Sequence, residues 1–456
     1  MQIKQWEDKN LAQYSYGILS DCKKKLVLID PARNPQPYLD YAKEQGAEII
    51  GIIETHPHAD FISSHLELHM LSGATIYASK MVDAAYPHTA FDEGDTLEFG
   101  KVKLSALNTP GHSPDSITIV LEHEGEQKAV FTGDTLFIGD CGRPDLREGC
   151  GNLKGNRQEL AKNMFHSLRN KFLNLKDEIT VYPGHGAGTL CGKGLSDANN
   201  STIGEEKKTN WSLQPMSEDE FVNSLLSDQP FIPAYFPFNV ELNRQGAAAF
   251  EESMSAVQFR AVVKNEADAA QLEKNTWIVD ARPAKNYNKG HLPLSVNLME
   301  GLKFETWLGS IIQPGEKFYL AGESEEQLYR LIERAAAIGY ETQIKEAFVV
   351  DLAIEQEMST DIAKLKKDPD HYTIIDVRNV SEVKEATFFK DSISIPLAEL
   401  RSRVDEIPTN KPIVVHCAGG YRSAAGSSIL KSVISQNVQV FDLGEAIKQF
   451  QLNGHK

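Results

Sequence analysis

A set of histidine and aspartate side chains in four short motifs could together hold a metal ion. THPHADF follows the apolar run AEIIGIIE, so His56 and His58 leave a strand end in extended conformation with both imidazoles on one side, and Asp60 follows them. Farther along, TPGHSPDS supplies His112, FTGDTLF supplies Asp134 and VYPGHGAG supplies His185, each in a Gly-containing turn at a strand end. Loops carried on a rigid sheet commonly hold reactive groups. A different chemistry sits near the C-terminus, where PIVVHCAGGYRSAAGSSIL reads as a buried strand, a tight loop opening at Cys417, and a helix beginning near Arg422 and Ser423. Loop N–H groups around Gly419 and Gly420, pointing inward at a helix N-terminus, form an anion pocket and favour a thiolate. Cys417 is therefore the candidate nucleophile.

The elements that must position these groups can be read in outline. Up to about residue 210 the chain alternates β-rich runs (KKKLVLID, AEIIGIIET, ATIYAS, VKLSAL, SITIVLEH, KAVFTGD, EITVYPG) with helical patterns such as LAKNMFHSLRNKFLNL. That alternation argues an α/β or α+β domain with buried sheets. SEDEFVNSLLS is a helix candidate, and the proline-punctuated PFIPAYFPF is expected to hold no regular element. Beyond it lies a weak internal repeat. TWIVDARPAKNYNKGHLPLSVNL and YTIIDVRNVSEVKEATFFKDSISIPL each carry a strand ending in Asp-x-Arg, Asp280 with Arg282 and Asp376 with Arg378. Counting 41 residues onward from each Asp lands on Ala321 and on Cys417. The first copy thus lacks the nucleophile, and Glu323, Glu325 and Glu326 stand where its anion cradle should be. Three domains are expected, over residues 1–245, 246–355 and 356–456.

Composition excludes several classes. The 456 residues are 41% hydrophobic and 24% charged, an ordinary globular balance too long for a single core. A net charge of -17 disfavours a nucleic-acid partner, because such affinity rests on Lys and Arg displacing counterions. No apolar run approaches the roughly 20 residues that a spanning helix needs. The five cysteines are sparse and odd in number, unlike a secreted disulfide framework, and point to reduced thiols in the cytoplasm. Cys141, Cys150 and Cys191 read as packing thiols, with Cys191 close enough in sequence to His185 to border its pocket, and Cys22 as structural.

The ordered set THxHxD, PGHSP, TGD and YPGHG resembles the metallo-β-lactamase superfamily over about 200 residues, which implies an αββα sandwich with metal at one edge of two packed sheets. Its dinuclear hydrolases read THxHxDH, and here Phe61 stands in the final position. The second site then keeps only Asp60 and His185, which favours one metal held by His56, His112 and Asp134. Two imidazoles and one carboxylate on one face suit a non-haem Fe(II) oxygenase more than a zinc hydrolase. With CGRPD close behind Asp134, this resembles the persulfide dioxygenases. The resemblance implies that His58 stays near the metal without binding it strongly and that Arg143 orients the thiol substrate, unless Arg143 merely pairs with Asp145. The Cys417 loop resembles the rhodanese signature, whose Cys-x4-Arg cradle carries sulfur as a persulfide, whereas cysteine phosphatases use a longer Cys-x5-Arg loop. Two α/β rhodanese-like domains follow, the first degenerate and suited to a subunit contact in a homo-oligomer. The resemblance as a whole implies oxidation of a low-molecular-weight thiol persulfide by O2 to sulfite, followed by sulfur transfer through Cys417 to give thiosulfate. No membrane partner is expected. A zinc-dependent thioester hydrolase like glyoxalase II, or a persulfide carrier without oxidation, are the competing readings.

Overall fold

The computed structural model describes every residue except 22–23, 148–155, 352–359, 436, 452 and 455–456, so Cys22 and Cys150 lie outside the described residues. Contacts divide the chain into Met1–Ser253 with Ala336–Gly339, and Met254–Ala335 with Tyr340–Lys456. Among the described residues no helix is long and apolar enough to cross a membrane.

In the first unit, two sheets of six strands each form the centre. One runs Gln2–Asp8, Gln13–Leu19, Lys25–Ile29, Glu48–Ile53, Thr75–Ala78, Thr89–Ala90, and the other holds Thr96–Phe99, Val102–Asn108, Ile117–His123, Glu126–Gly133, Thr180–Pro183 and Ser201–Thr202. Alternate residues explain the sandwich. Tyr16, Ile18, Val27, Ile29 and Ile53 of the first sheet meet Leu104, Ala106, Ile119, Leu121 and Phe131 of the second in one cluster. The opposite faces, through Leu26, Leu28, Ile52 and Ile76, pack on Tyr38, Tyr41 and Leu68 of the helices Gln36–Gln45 and His65–Ser72. Val120, Val130 and Val181 pack on Ala161 and Met164 of the helix Arg157–Ser167. Sheets buried on both faces need such cover, and the result is four layers, αββα.

Helix Glu218–Leu226 opens with a capping box between Ser217 and Glu220. The proline stretch departs from its expectation, because helix Tyr235–Gln245 starts inside it. Pro237 occupies the first turn, where an N–H has no intrahelical acceptor and proline's fixed φ is already helical.

The second unit holds two four-stranded parallel sheets of identical order, Ser295–Asn297, Trp277–Asp280, Phe318–Gly322, Ile344–Val349 and Ile393–Ser394, Thr373–Asp376, Ile413–His416, Val440–Asp442. The Asp-x-Arg clips superimpose in detail. Arg282 Nη2 donates to Asp280 at 2.7 Å and to Gly290 O at 3.0 Å, and Arg378 Nη2 donates to Asp376 at 2.6 Å and to Ala386 O at 2.9 Å. Sheet register corrects the alignment of the repeats by one residue. Asp280 pairs with Ala321, but Asp376 pairs with His416, so the counterpart of Cys417 is Gly322. The segment joining the two strands is one residue shorter in the second copy, which a constant count cannot detect. Helix Tyr421–Val433 packs on the strand Ser295–Asn297 of the other repeat, with Ser428 Oγ accepting from Asn297 N at 3.0 Å and Tyr421 OH donating to Met299 O at 2.8 Å.

Candidate functional site

The metal-type residues of the first unit converge at the ends of its strands. His56 and His58 follow the strand Glu48–Ile53, Asp134 follows Glu126–Gly133, and His185 follows Thr180–Pro183. All of them, with Asp60 and His112, are buried. Close backbone approach dictates the glycines: a Cβ at Gly184 would lie 2.5 Å from Asp134 Oδ1, and one at Gly142 would strike the Asp134 carbonyl oxygen.

Ligand-type atoms of His56, His112 and Asp134 gather within 4.8 Å of one another. His56 Nε2 and His112 Nε2 stand 3.9 and 3.5 Å from Asp134 Oδ2. Both gaps are too long for good hydrogen bonds; donors about 2.1 Å from a shared ion sit roughly 3.0–3.6 Å apart, which the His112 gap matches and the His56 gap slightly exceeds. Neither Asp134 oxygen has an N–H or O–H partner. The tautomers agree with this. His112 Nδ1–H donates to Arg143 O at 2.9 Å, leaving Nε2 with its lone pair free. Thr55 Oγ1 donates to Asp30 Oδ2 at 2.8 Å, so it must accept from His56 Nδ1–H at 3.0 Å, and His56 Nε2 is left bare as well. Burial lowers the proton affinity of both imidazoles, which keeps them in the neutral, ligating form.

His58 faces elsewhere. Its Nε2 lies 3.2 Å from Asp30 and 3.5 Å from Glu54, and these carboxylates raise its proton affinity against the opposing effect of burial. The Phe61 ring packs on it, centroid to centroid 4.2 Å, occupying the side where a further imidazole would have stood. Asp60 and His185 lie on the far side of Asp134 and gather with Cys191, a grouping the sequence reading did not make. Arg143 is turned inward. Nε and Nη2 grip Asp145 at 2.7 Å each, and Nη1 donates to Leu190 O at 3.2 Å, so little of the guanidinium is left for a substrate and a positioning role suits it better. Cys141 belongs to a hydrophobic cluster.

In the second unit Cys417 is buried at the end of the strand Ile413–His416, and Gly420 N–H donates to its Sγ at 3.1 Å. Gly420 has a φ of 102°, a conformation glycine adopts without strain, and caps the helix on which Arg422 and Ser423 follow. Arg422 is held by Glu382, Nη2 to Oε1 2.8 Å, and Ser423 Oγ donates to Gly420 O at 3.2 Å. The Gly419 position is open, with nothing within 4 Å of where a Cβ would lie. In the other repeat Gln327 falls where Arg422 stands, counting from Gly322. Its Oε1 accepts from Glu323 N at 2.8 Å and fills the cradle, whereas Glu323, Glu325 and Glu326 lie exposed.

Comparison with known proteins agrees with this architecture. The metallo-beta-lactamase superfamily matches residues 18–185, and the rhodanese-like domain matches 263–354 and 359–452. The chain belongs to the metallo-beta-lactamase superfamily and carries two rhodanese-like domains behind that fold. Its N-terminal region is homologous to persulfide dioxygenases: it is 31% identical over 222 residues to the mitochondrial persulfide dioxygenase ETHE1 of Bos taurus, covering 48% of this chain and 78% of that protein. The hydroxyacylglutathione hydrolase GloC of Haemophilus influenzae is 27% identical, covering 43% of this chain and 92% of the relative. A metallo-beta-lactamase structure from Staphylococcus aureus is 30% identical with a TM-score of 0.67, covering 76% of this chain and 98% of that one.

Proposed function

We propose that the chain is a persulfide dioxygenase joined to a rhodanese sulfurtransferase, with one Fe(II) held by Nε2 of His56, Nε2 of His112 and Oδ2 of Asp134. The observation that carries the reading is that trio: two neutral imidazoles oriented through Nδ1 and an unpartnered carboxylate, on one face. Their donor set is the one that non-haem Fe(II) oxygenases use, and iron there supplies redox chemistry towards O2 that no side chain has. The overall change balances as RSSH + O2 + H2O → RSH + H2SO3, in which the sulfane sulfur loses four electrons and O2 gains them. No further cosubstrate is required. His58, occupied by Asp30 and Glu54, stays outside the ligand set.

At the second centre the Cys417 thiolate attacks the outer sulfur of a persulfide, breaking its S–S bond and releasing RS⁻ with a proton to give RSH. Sulfite then attacks the outer sulfur of the Cys417 persulfide, giving thiosulfate and regenerating the thiolate. Gly420 N–H steadies the sulfur, and Glu382 positions the Arg422 guanidinium at the cradle. Domain limits of 1–245, 246–355 and 356–456 give each activity its own fold, and a cytoplasmic homo-oligomer completes the proposal.

Oxygen consumption by iron-loaded protein with glutathione persulfide tests the first half. The expected result is stoichiometric O2 uptake and sulfite; thioester hydrolysis without O2 uptake would instead establish the hydrolase reading, which the similarity to GloC keeps in view. Cys417→Ser should leave O2 uptake unchanged and abolish thiosulfate formation, and retained thiosulfate formation refutes the role given to Cys417.

A further inference from the structure

The cradle around Cys417 is fastened to the silent repeat, the one without a nucleophile, by a residue of the cradle itself. Tyr421 opens the helix Tyr421–Val433 and directly follows Gly420, whose N–H donates to Cys417 Sγ at 3.1 Å. The tyrosine side chain reaches into the silent repeat, where its hydroxyl donates to Met299 O at 2.8 Å. Burial raises the proton affinity of that hydroxyl, so it remains a donor. A Cβ on Gly301 would stand 3.1 Å from the Tyr421 ring, which is therefore seated on the Met299–Gly301 backbone. About two helical turns on, Ser428 Oγ accepts from Asn297 N at 3.0 Å and attaches the same side of the helix a second time.

That seat is braced from within the silent repeat. Met299 Sδ accepts from Ala284 N at 3.2 Å, and Glu300 N donates to Ala281 O at 3.2 Å. The Glu300 carboxylate accepts from Gln327 Nε2 and from Arg330 Nε, each at 3.2 Å. Arg334 Nη2 donates to Gly301 O at 2.6 Å and to Glu305 Oε2 at 2.6 Å. Gln327, which fills the vacant cradle, thus also steadies the segment that carries Tyr421. On the other side, Tyr421 is joined to Gly420 through one planar peptide, so a displaced tyrosine carries Gly420 and its N–H with it, relative to the sulfur.

We propose that Tyr421 is a positioning residue for sulfur transfer, and that the silent repeat supplies the seat which keeps the Gly420 N–H on Cys417 Sγ. The proposal rests on the sulfurtransferase reading of Cys417 and gives the repeat without a nucleophile a part in that reaction. Tyr421 acts through Gly420 and takes no part in making or breaking bonds. An N–H donor favours the thiolate over the thiol, so loss of the seat leaves less of the nucleophilic form at neutral pH. It changes little once the pH is high enough to ionise the thiol without help.

Tyr421→Phe keeps the ring and removes the hydroxyl. In the full-length chain, sulfur transfer from thiosulfate to cyanide is expected to fall about 3- to 10-fold, the size of one net hydrogen bond. Alkylation of Cys417 by iodoacetamide, followed on its own peptide by mass spectrometry, should slow about threefold at pH 7 and stay within about twofold of wild type at pH 10. Gly301→Ala, a change in the silent repeat that crowds the ring, should move both readouts the same way, whereas Lys289→Ala on an exposed position of that repeat should move neither. Wild-type behaviour of both Tyr421→Phe and Gly301→Ala overturns the proposal. So does faster alkylation at both pH values with a lowered Tm, which marks loosened packing instead of a lost position. If the wild type moves no sulfur, the sulfurtransferase reading fails, and the alkylation profiles still decide whether the silent repeat sets the reactivity of Cys417.

Discussion

Thr55 illustrates how much of the first centre rests on side chains that would never touch a metal. Its hydroxyl donates to Asp30 and therefore can only accept from His56, which selects the tautomer whose Nε2 is free. Thr55→Val keeps the shape and removes the acceptor. Its affinity for Fe(II) or Co²⁺, measured by chelator competition, should fall about 10- to 100-fold. The residues with reactive types were legible in the sequence because each follows an apolar strand and a Gly turn, and the fold brings His56, His112 and Asp134 together. Cys191 was not legible as part of a group. His185 lies close to it in sequence, but Asp60 comes from a distant loop, and contacts of the Cys191 segment to Arg143 and Thr189 hold it beside them. For Arg143 the sequence left two readings open, a contact to the thiol substrate or a pair with Asp145, and the structure places its guanidinium 2.7 Å from Asp145.

At the scale of elements, two close approaches lead to measurable effects. Gly184→Ala would push a methyl against Asp134 Oδ1, and overpacking of this kind costs about 1–3 kcal/mol; a lowered Tm together with substoichiometric metal is expected. The strand Ile413–His416 ends in a buried imidazole, His416, that burial pushes down to about 4 from an ordinary 6.5. Below pH 6.5 the unfolded chain takes up a proton that the folded one refuses, so stability falls with pH until about pH 4, by at most ~3 kcal/mol. Melting curves of wild type and His416→Asn between pH 4 and 7 should converge towards pH 7 in their pH dependence, with the variant flatter below it. Strands with apolar runs were readable from sequence. Gln2–Asp8 and Gln13–Leu19 were not, because QIKQWED is largely polar and QYSYGIL mixes Gln, Ser and Gly with its apolar residues, and the two become strands by pairing in register, Gln2 with Leu19 through Asp8 with Gln13. The helix through Pro237 was missed because proline's prohibition does not extend to a first turn.

For the molecule as a whole, the two centres should be separable in the intact chain. Treatment with a chelator is expected to abolish O2 uptake while leaving sulfur transfer from thiosulfate to cyanide within about twofold of the untreated rate, since Cys417 and its cradle contain no metal-type cluster among the described residues. Parallel assays of treated and reconstituted protein check this. The α/β character of the architecture could be inferred from the alternation of apolar strand runs with helical patterns, whereas the αββα layering was implied by the resemblance to the metallo-β-lactamase superfamily. What sequence could not settle was register between the repeats, where one residue in a connecting segment moves the vacant position from Ala321 to Gly322.

The Gln327 amide occupies the space beside that vacancy. A side chain restored at Gly322 would meet Gln327 Oε1 at 2.8 Å, so a cysteine returned there alone would find its pocket already filled. For such a cysteine to be reached, the Gln327 side chain would have to swing out of the cradle or be replaced. The silent repeat thus carries its own stopper, a side chain standing where a sulfur would need room.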